Sequence, residues 1–381
     1  MQKITKIGIV GTGFIATGLY HALEASDNFT TSRMLTRRDI KTVEALPQEI
    51  LTNSFEDFLD HCDIVFECSG DVYHATDIVM AATQANKKVV TMNSEFHVTA
   101  GTYFVKRGHY VSEADGDQPG CLARLKQEIE GMGFEPLAYV NLKGFLNPNP
   151  ELDEMIYWSD KQELALNQVI SFTDGTKVQI EQAFVANGLG ATIAQDGLLG
   201  NTVETLYDMD YMVRASMELK QPISEYVLCK GSPPGVLIVA KNKIADKRPG
   251  YLVFSRLRTK EDLAYVLLRT YHLCYLECVN TLNKVVAGEP MLLNNTASPT
   301  ITVGAVAKKA IKKDEVITIG AGGFDVRGMA IKIEGNKDKV PICLLKNTRV
   351  LRDVEPGQLL TFEDVALEPS QALDCYLDSI Q

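Results

Sequence analysis

The chain has 381 residues, 45% of them hydrophobic and 23% charged, which is enough apolar material for two or three domains with cores of their own. A formal net charge of −11 offers phosphate backbones no attraction, so nucleic acid is a poor partner. No apolar run reaches membrane-spanning length, the start MQKITKIGIV leads into a strand rather than a signal peptide, and the eight cysteines contain no Cys-x-x-Cys pair, so a cytoplasmic protein with reduced thiols is expected.

The first stretch alternates apolar strands with helical segments: KIGIVG at 6–11, a helix to about Ala25, TTSRMLTRR, DIVFECSG, a helix around Val79, then KVVTMN. This rhythm predicts an α/β fold that begins with a Rossmann domain, a parallel sheet covered on both faces. Two further strands, HYVSEADG and PLAYVNLKGF, are expected to extend that sheet to about residue 145.

Directly after the first strand comes G-T-G-F-I-A at 11–16. Gly11 permits a tight turn, Gly13 lets the backbone approach a pyrophosphate, and Ala16 allows close packing of helix on strand. With Phe14 and Ile15 these are the candidate cofactor contacts, the pyrophosphate sitting at the free N–H groups of the following helix. The second strand ends in Thr36, Arg37 and Arg38, where an NAD-specific site carries a carboxylate. A hydroxyl followed by two guanidinium groups suits a 2′-phosphate, so NADP (NADPH) is the expected cofactor, against the alternative of two solvated surface arginines. Ser69 and Gly70 close one later strand and Asn93 the next, which places them at the nicotinamide side of the crevice.

Beyond residue 145 the Pro and Asn residues of LNPNPELDE mark a crossover. A strand is expected at 168–173, then the turn Asp174–Gly175 and a helix over 176–187 stopped by Gly188. GYLVFSR and LAYVLLR read as paired strands, followed by a helix ending at Gly288, although 263–282 also suits one long helix. Cys274 and Cys278 near His272 have metal-ligand spacing, but a helical core face explains them better. From about Ala297 a faint repeat pairs IKKDEVIT at 311–318 with VEPGQLLT at 354–361, which predicts a small β module. The expected domains are therefore 1–145 (NADP-binding), 146–296 (substrate, catalysis and oligomerisation; α+β) and 297–381 (small β).

Taken together, GTGFIA, VVTMNSE at 89–95, EADGDQPG at 113–120, SFTDGTKVQIE at 171–181, RTYHL at 269–273 and the tail repeat resemble the homoserine dehydrogenase-like oxidoreductases with a C-terminal SAF domain, a β-clip module. The resemblance implies an NAD(P)-dependent oxidoreductase acting on a CH–OH or carbonyl group of a small polar, sometimes phosphorylated, compound. Relatives include homoserine dehydrogenases and a deoxyxylulose-phosphate reductoisomerase-like enzyme, in which a divalent metal aids rearrangement. A non-catalytic NADP-binding sensor is the reading from a different class. Homoserine dehydrogenases place a lysine after the Asn that ends the KVVTMN strand; this chain reads Asn93, Ser94, Glu95, and RTYHL has Thr270 for the family's proline.

Hydride transfer needs a group that supports charge on the substrate oxygen and exchanges its proton. Lys177 is the first candidate, at a helix start after the Asp-Gly turn, where the helix field is expected to lower its pKa. Asp117, preferred over Asp115, is expected to orient Lys177, hold a hydroxyl or bind a divalent cation; Glu95 and His272 complete the catalytic set as acid, base or proton shuttle. Metal ligands are not assignable from the sequence, and a homo-oligomer is the expected assembly.

Overall fold

The computed structural model describes residues 4–248, 250, 252 and 257–381. Six strands, β1 (Thr5–Val10), β2 (Phe29–Leu35), β3 (Leu51–Thr52), β4 (Ile64–Glu67), β5 (Lys88–Thr91) and β6 (Val111–Glu113), form a parallel sheet in the order β3-β2-β1-β4-β5-β6. This is the doubly wound Rossmann order, with its switch point between β1 and β4. Ile7, Ile9 and Val10 of β1 are fully buried, since helices cover both faces. Helices Phe14–Glu24 and Tyr275–Val286 pack on one face; Phe55–His61, Val72–Gln84 and the last helix, Gln371–Ser379, pack on the other. Both late helices thus complete the cover of the first sheet.

The second sheet has the order β10-β9-β7-β8, from β7 (Glu135–Lys143), β8 (Ile223–Leu228), β9 (Gly235–Lys241) and β10 (Tyr265–Arg269). Here the expectation for PLAYVNLKGF is corrected: β7 pairs with β8 and β9, and only β6 of the expected pair joins the Rossmann sheet. Strand then helix is the observed order over 265–286, but β10 takes β9 as its partner. GYLVFSR at 250–256, the partner expected from sequence, lies outside the described residues apart from Gly250 and Leu252.

Two further corrections concern the segment that leads to Lys177. Residues 166–173 form a helix, Leu166–Thr173, where a strand was expected; Val169 and Ile170 pack on Met155 from one helical face. The next helix runs Thr176–Leu189 and stops at Gly190, whose φ of +70° is the left-handed cap, rather than at Gly188. Gly188 is a packing glycine: a Cβ there would stand 2.4 Å from Leu293 Cδ1.

The tail forms a small antiparallel β module, with β11 (Ile301–Ala307) on β13 (Val326–Lys332) and β12 (Val316–Ile319), β14 (Lys346–Val350) and β15 (Val365–Ala366) in a second ladder. The two repeat copies meet, since Ile311 and Val354 exchange backbone hydrogen bonds of 3.0 and 2.9 Å. The module shares one apolar core with helix Thr176–Leu189, in which Ile180 and Phe184 pack with Val303 and Val326. Among the described residues no helix is long and apolar enough to cross a membrane.

Candidate active site

The turn after β1 is built for an anion. Gly11 has φ +116°, a conformation that favours glycine, and donates its N–H to Leu35 O. Gly13 is the extended N-cap, and a Cβ there would meet nothing within 4 Å. The first helical bond is Thr17 N–H to Gly13 O, so the N–H groups of Phe14, Ile15 and Ala16 have no partner within the helix. No side chain caps this helix, whereas Ser54 and Asp71 cap the helices after β3 and β4. Open space above Gly13 and an uncapped helix start fit the pyrophosphate of a dinucleotide. Ala16 is buried against the sheet and Phe14 is exposed. Gly18, which the sequence reading passed over, is the tighter contact: a Cβ there would stand 2.3 Å from the Tyr275 ring.

Thr36, at the end of β2, is buried; its Oγ1 accepts the Arg38 N–H at 3.1 Å and lies 3.4 Å from Thr12 Oγ1. Arg37 and Arg38 are exposed, and Arg37 Nη1 pairs with Asp71 Oδ2 at 2.9 Å.

A buried carboxylate that the sequence reading missed organises the next two strand ends. Glu67, fully buried at the end of β4, accepts the Ser69 N–H and hydroxyl at 2.7 and 2.6 Å, and the Thr91 hydroxyl and Asn93 amide at 2.9 and 3.1 Å. Burial raises its pKa against the pull of these donors. Asn93 also accepts the Phe96 N–H, so its side chain is a strut between β5 and the helix that carries Glu95. A carboxylate inside the apolar run IVFE was the available signal.

A cavity of about 340 Å³ opens beside these strand ends, with Ile15, Ser69, Gly70, Glu95 and Lys177 among its lining. Lys177 Nζ lies 3.1 and 3.2 Å from the two oxygens of Glu95 and 3.8 Å from Asp117 Oδ2. Three distant stretches thus converge. Asp117 stands at the N-cap of helix Gln118–Gly131 without capping it, which leaves its carboxylate for Lys177. Burial pulls the Lys177 pKa down, but Glu95, Asp117 and Glu181 outweigh it and raise it, so the expected lowering by the helix field is overturned. Glu181, one turn further along the same helix, bonds Asn141 Nδ2 at 2.7 Å and faces Lys143; burial pushes its carboxyl up. Beneath the cluster, His97 Nε2 lies 3.2 Å from Glu113 Oε2 and stacks on Phe184. Burial draws His97 down to about 3 and pushes Glu113 well up. His97 opens a π-helical turn, His97–Gly101, that follows Glu95.

Asp115 is held by Arg124 through both oxygens and by Thr281. His272 is half-buried and meets the cluster only through its neighbour, with Nε2 3.4 Å from the side chain of Gln118. Among the described residues no group of three or more His, Cys, Asp or Glu side chains is arranged to hold a metal ion.

Comparison with known proteins adds two family matches. Residues 11–103 match the model of the homoserine dehydrogenase NAD binding domain, and residues 116–278 that of the oxidoreductase DRL catalytic domain. No curated protein matches. Among solved structures, yvaA from Bacillus subtilis is 21% identical over 39% of this chain and 47% of its own, with a TM-score of 0.28. UDP-N-acetylglucosamine 3-dehydrogenase GnnA from Acidithiobacillus ferrooxidans is 9% identical over 78% and 93%, with a TM-score of 0.44. Homoserine dehydrogenase from S. aureus is 13% identical over 48% and 50%, with a TM-score of 0.32. This chain therefore spans about half the length of the first and third of these.

The parallel sheet, the uncapped glycine turn and the two family matches define a Rossmann-fold NAD(P)-dependent oxidoreductase. The chain is related to the homoserine dehydrogenase and DRL oxidoreductase families through the two matched segments.

Proposed function

We propose that the enzyme is an NADP(H)-dependent reductase of a small polar keto compound, phosphorylated compounds included, with Lys177 as the acid that serves the reacting oxygen. The nicotinamide, when bound, supplies the hydride. The observation that carries the reading is the Lys177 ammonium, lining one cavity with Ser69 and Gly70 at the carboxyl end of β4. Lys177 donates a hydrogen bond to the substrate carbonyl oxygen and passes it a proton as negative charge develops there. Glu95 and Asp117 fix the direction of Nζ and keep it charged before substrate arrives. His272, beside Gln118, is placed as a substrate ligand or proton shuttle at the rim. NADP over NAD rests on Thr36, Arg37 and Arg38. We read the tail as SAF-like, the units as 1–145, 146–296 and 297–381, and the assembly as a homo-oligomer in the cytoplasm.

The test is a substrate screen followed by NADPH absorbance, repeated with Lys177→Ala. Turnover should fall by about 10²–10⁴-fold with NADPH binding intact. Turnover within tenfold of wild type overturns the assignment.

A second reading draws on the carboxylates of Glu95, Asp117 and Glu181 gathered around Lys177 and on the match to the DRL catalytic domain. In it, a reductoisomerase of a keto-sugar phosphate would carry out an α-ketol rearrangement before reduction, and a divalent cation aiding it would need ligands from the substrate, since among the described residues these carboxylates are not arranged to hold one by themselves. Loss of turnover on EDTA treatment, restored by Mg²⁺, selects it; unchanged turnover removes it.

A further inference from the structure

We propose that Lys346, carried by the C-terminal module, is the third cation of the cofactor's 2′-phosphate site, beside Arg37 and Arg38. The proposal rests on the NADP reading above. Lys346 opens β14, and its Nζ lies 2.8 Å from Asp71 Oδ2, the oxygen that also takes Arg37 Nη1 at 2.9 Å. The other oxygen of Asp71 accepts the N–H groups of Tyr73 and His74 as a helix cap. Asp71 is thus fully engaged, with one carboxylate facing two cations, so the trio carries one positive charge in excess. Both cations are open to solvent on their outer side, with 46% of the Lys346 side chain and 58% of the Arg37 side chain exposed, while Asp71 behind them is 15% exposed. A phosphate monoester is bound best by cations held at a fixed spacing, and a shared, half-buried carboxylate provides that spacing.

The placement of Lys346 is built into the fold. The Tyr73 hydroxyl donates to Leu344 O at 2.7 Å, two residues before Lys346, and Val72, Leu344 and Tyr376 pack in one apolar cluster. Lys346 and Asp71 also line the cavity that holds Ser69 and Lys177. Cofactor recognition therefore draws on the first sheet and the last, and the tail module is part of the NADP site.

The experiment titrates NADPH and NADH against the full-length protein by fluorescence, without substrate, for wild type, Arg37→Ala, Lys346→Gln and Lys346→Arg. Lys346→Gln should weaken NADPH by about tenfold and leave NADH within about twofold, while Lys346→Arg stays close to wild type. Thermal unfolding of each variant separates misfolding from lost binding, and the NADPH-to-NADH ratio does not move if Lys346 only holds the module in place. If Arg37→Ala changes that ratio and Lys346→Gln does not, the proposal is overturned while the NADP reading stands. A higher substrate KM in Lys346→Gln with NADPH binding unchanged assigns Lys346 to a substrate anion and overturns it equally. If wild type binds both cofactors alike and Arg37→Ala changes nothing, the NADP reading itself falls.

Discussion

Lys177 shows how far a single side chain depends on its neighbours. Its place after an Asp-Gly turn is legible from the sequence, but the sign of its pKa shift is not, because Glu95, Asp117 and Glu181 come from three separate places in the chain. With its pKa raised, Lys177 stays an ammonium through the neutral range, so it carries the proton throughout and cannot act as a base there. Reduction should therefore not decline on its account between pH 6 and 9, about the neutral range, whereas oxidation of the product should rise with pH up to at least about 9. Reduction that falls tenfold per unit across neutral pH would show that another group supplies the proton. Glu225 offers a test of stability at the same scale. It is buried in β8, one oxygen accepts the Leu199 N–H at 2.9 Å, the other has no hydrogen-bond partner among the described residues, and burial pushes its carboxyl up to about 8. A raised folded pKa means that the folded state binds more protons than the unfolded one between about 4.5 and 8, so this group's contribution is fullest at low pH and lost as pH rises. Glu225→Gln keeps the Leu199 bond and should raise the thermal midpoint by several degrees at pH 8, with little change at pH 4.5. Equal midpoints at pH 8 would mean that the carboxylate is solvated there.

At the scale of elements, the part of the fold legible in the sequence is the part whose periodicity answers to one neighbour. β1, the glycine turn and helix Phe14–Glu24 follow from their own residues, since each is an apolar run against the next. Helix Leu166–Thr173 does not, because eight residues that include Val and Ile suit either period, and its packing on Met155 of another helix decides. β7 reads from the sequence as part of the first sheet for a similar reason: an apolar strand carries no label for its partner, and β9, which pairs along most of its length, lies some hundred residues later in the chain. Close helix contacts are equally hidden. Gly18 lies in the middle of helix Phe14–Glu24, where propensity alone would favour Ala, yet the ring of Tyr275 rests on it and meets Phe14 edge-on at 5.5 Å. Gly18→Ala should cost about 1–3 kcal/mol, because the ring atoms in the way belong to the near side of Tyr275 and the two helices must separate. On the proposed cofactor site, NADPH affinity should fall with it, because the same helix carries the free N–H groups of Phe14, Ile15 and Ala16. A variant more stable than wild type would show that helix Tyr275–Val286 yields without strain.

Across the whole molecule, Lys177 and the tail are mechanically one. Helix Thr176–Leu189 is gripped by β13 through Gly328 N–H to Thr176 Oγ1 at 2.9 Å and Ala330 N–H to Gln179 Oε1 at 2.8 Å. The turn before it is gripped by Lys308, whose ammonium bonds Asp174 Oδ2 and the Gly323 carbonyl, with both side chains of the ion pair 5% exposed or less. Asp174 in turn accepts the Thr176 N–H at 2.8 Å, one residue before Lys177. Lys308 of the run AKKAIKK is therefore the counter-ion of a buried carboxylate, and no local pattern marks which lysine of the run turns inward. Lys308→Met leaves Asp174 buried and unpaired, which should cost about 3–5 kcal/mol and displace the start of the Lys177 helix, so that stability and turnover fall together. Burial already raises the Asp174 pKa against the pull of Lys308, and removing that cation raises it further. The deficit of Lys308→Met should shrink as pH falls toward 4, where a protonated Asp174 needs no counter-ion. Adding Asp174→Asn should recover much of the loss at pH 7, because the carboxamide removes the stranded charge and its oxygen still accepts the Thr176 N–H. If the double variant is as unstable as Lys308→Met, the loss lies in the packing of the lysine stem, and the tail holds the Lys177 helix through its apolar core alone.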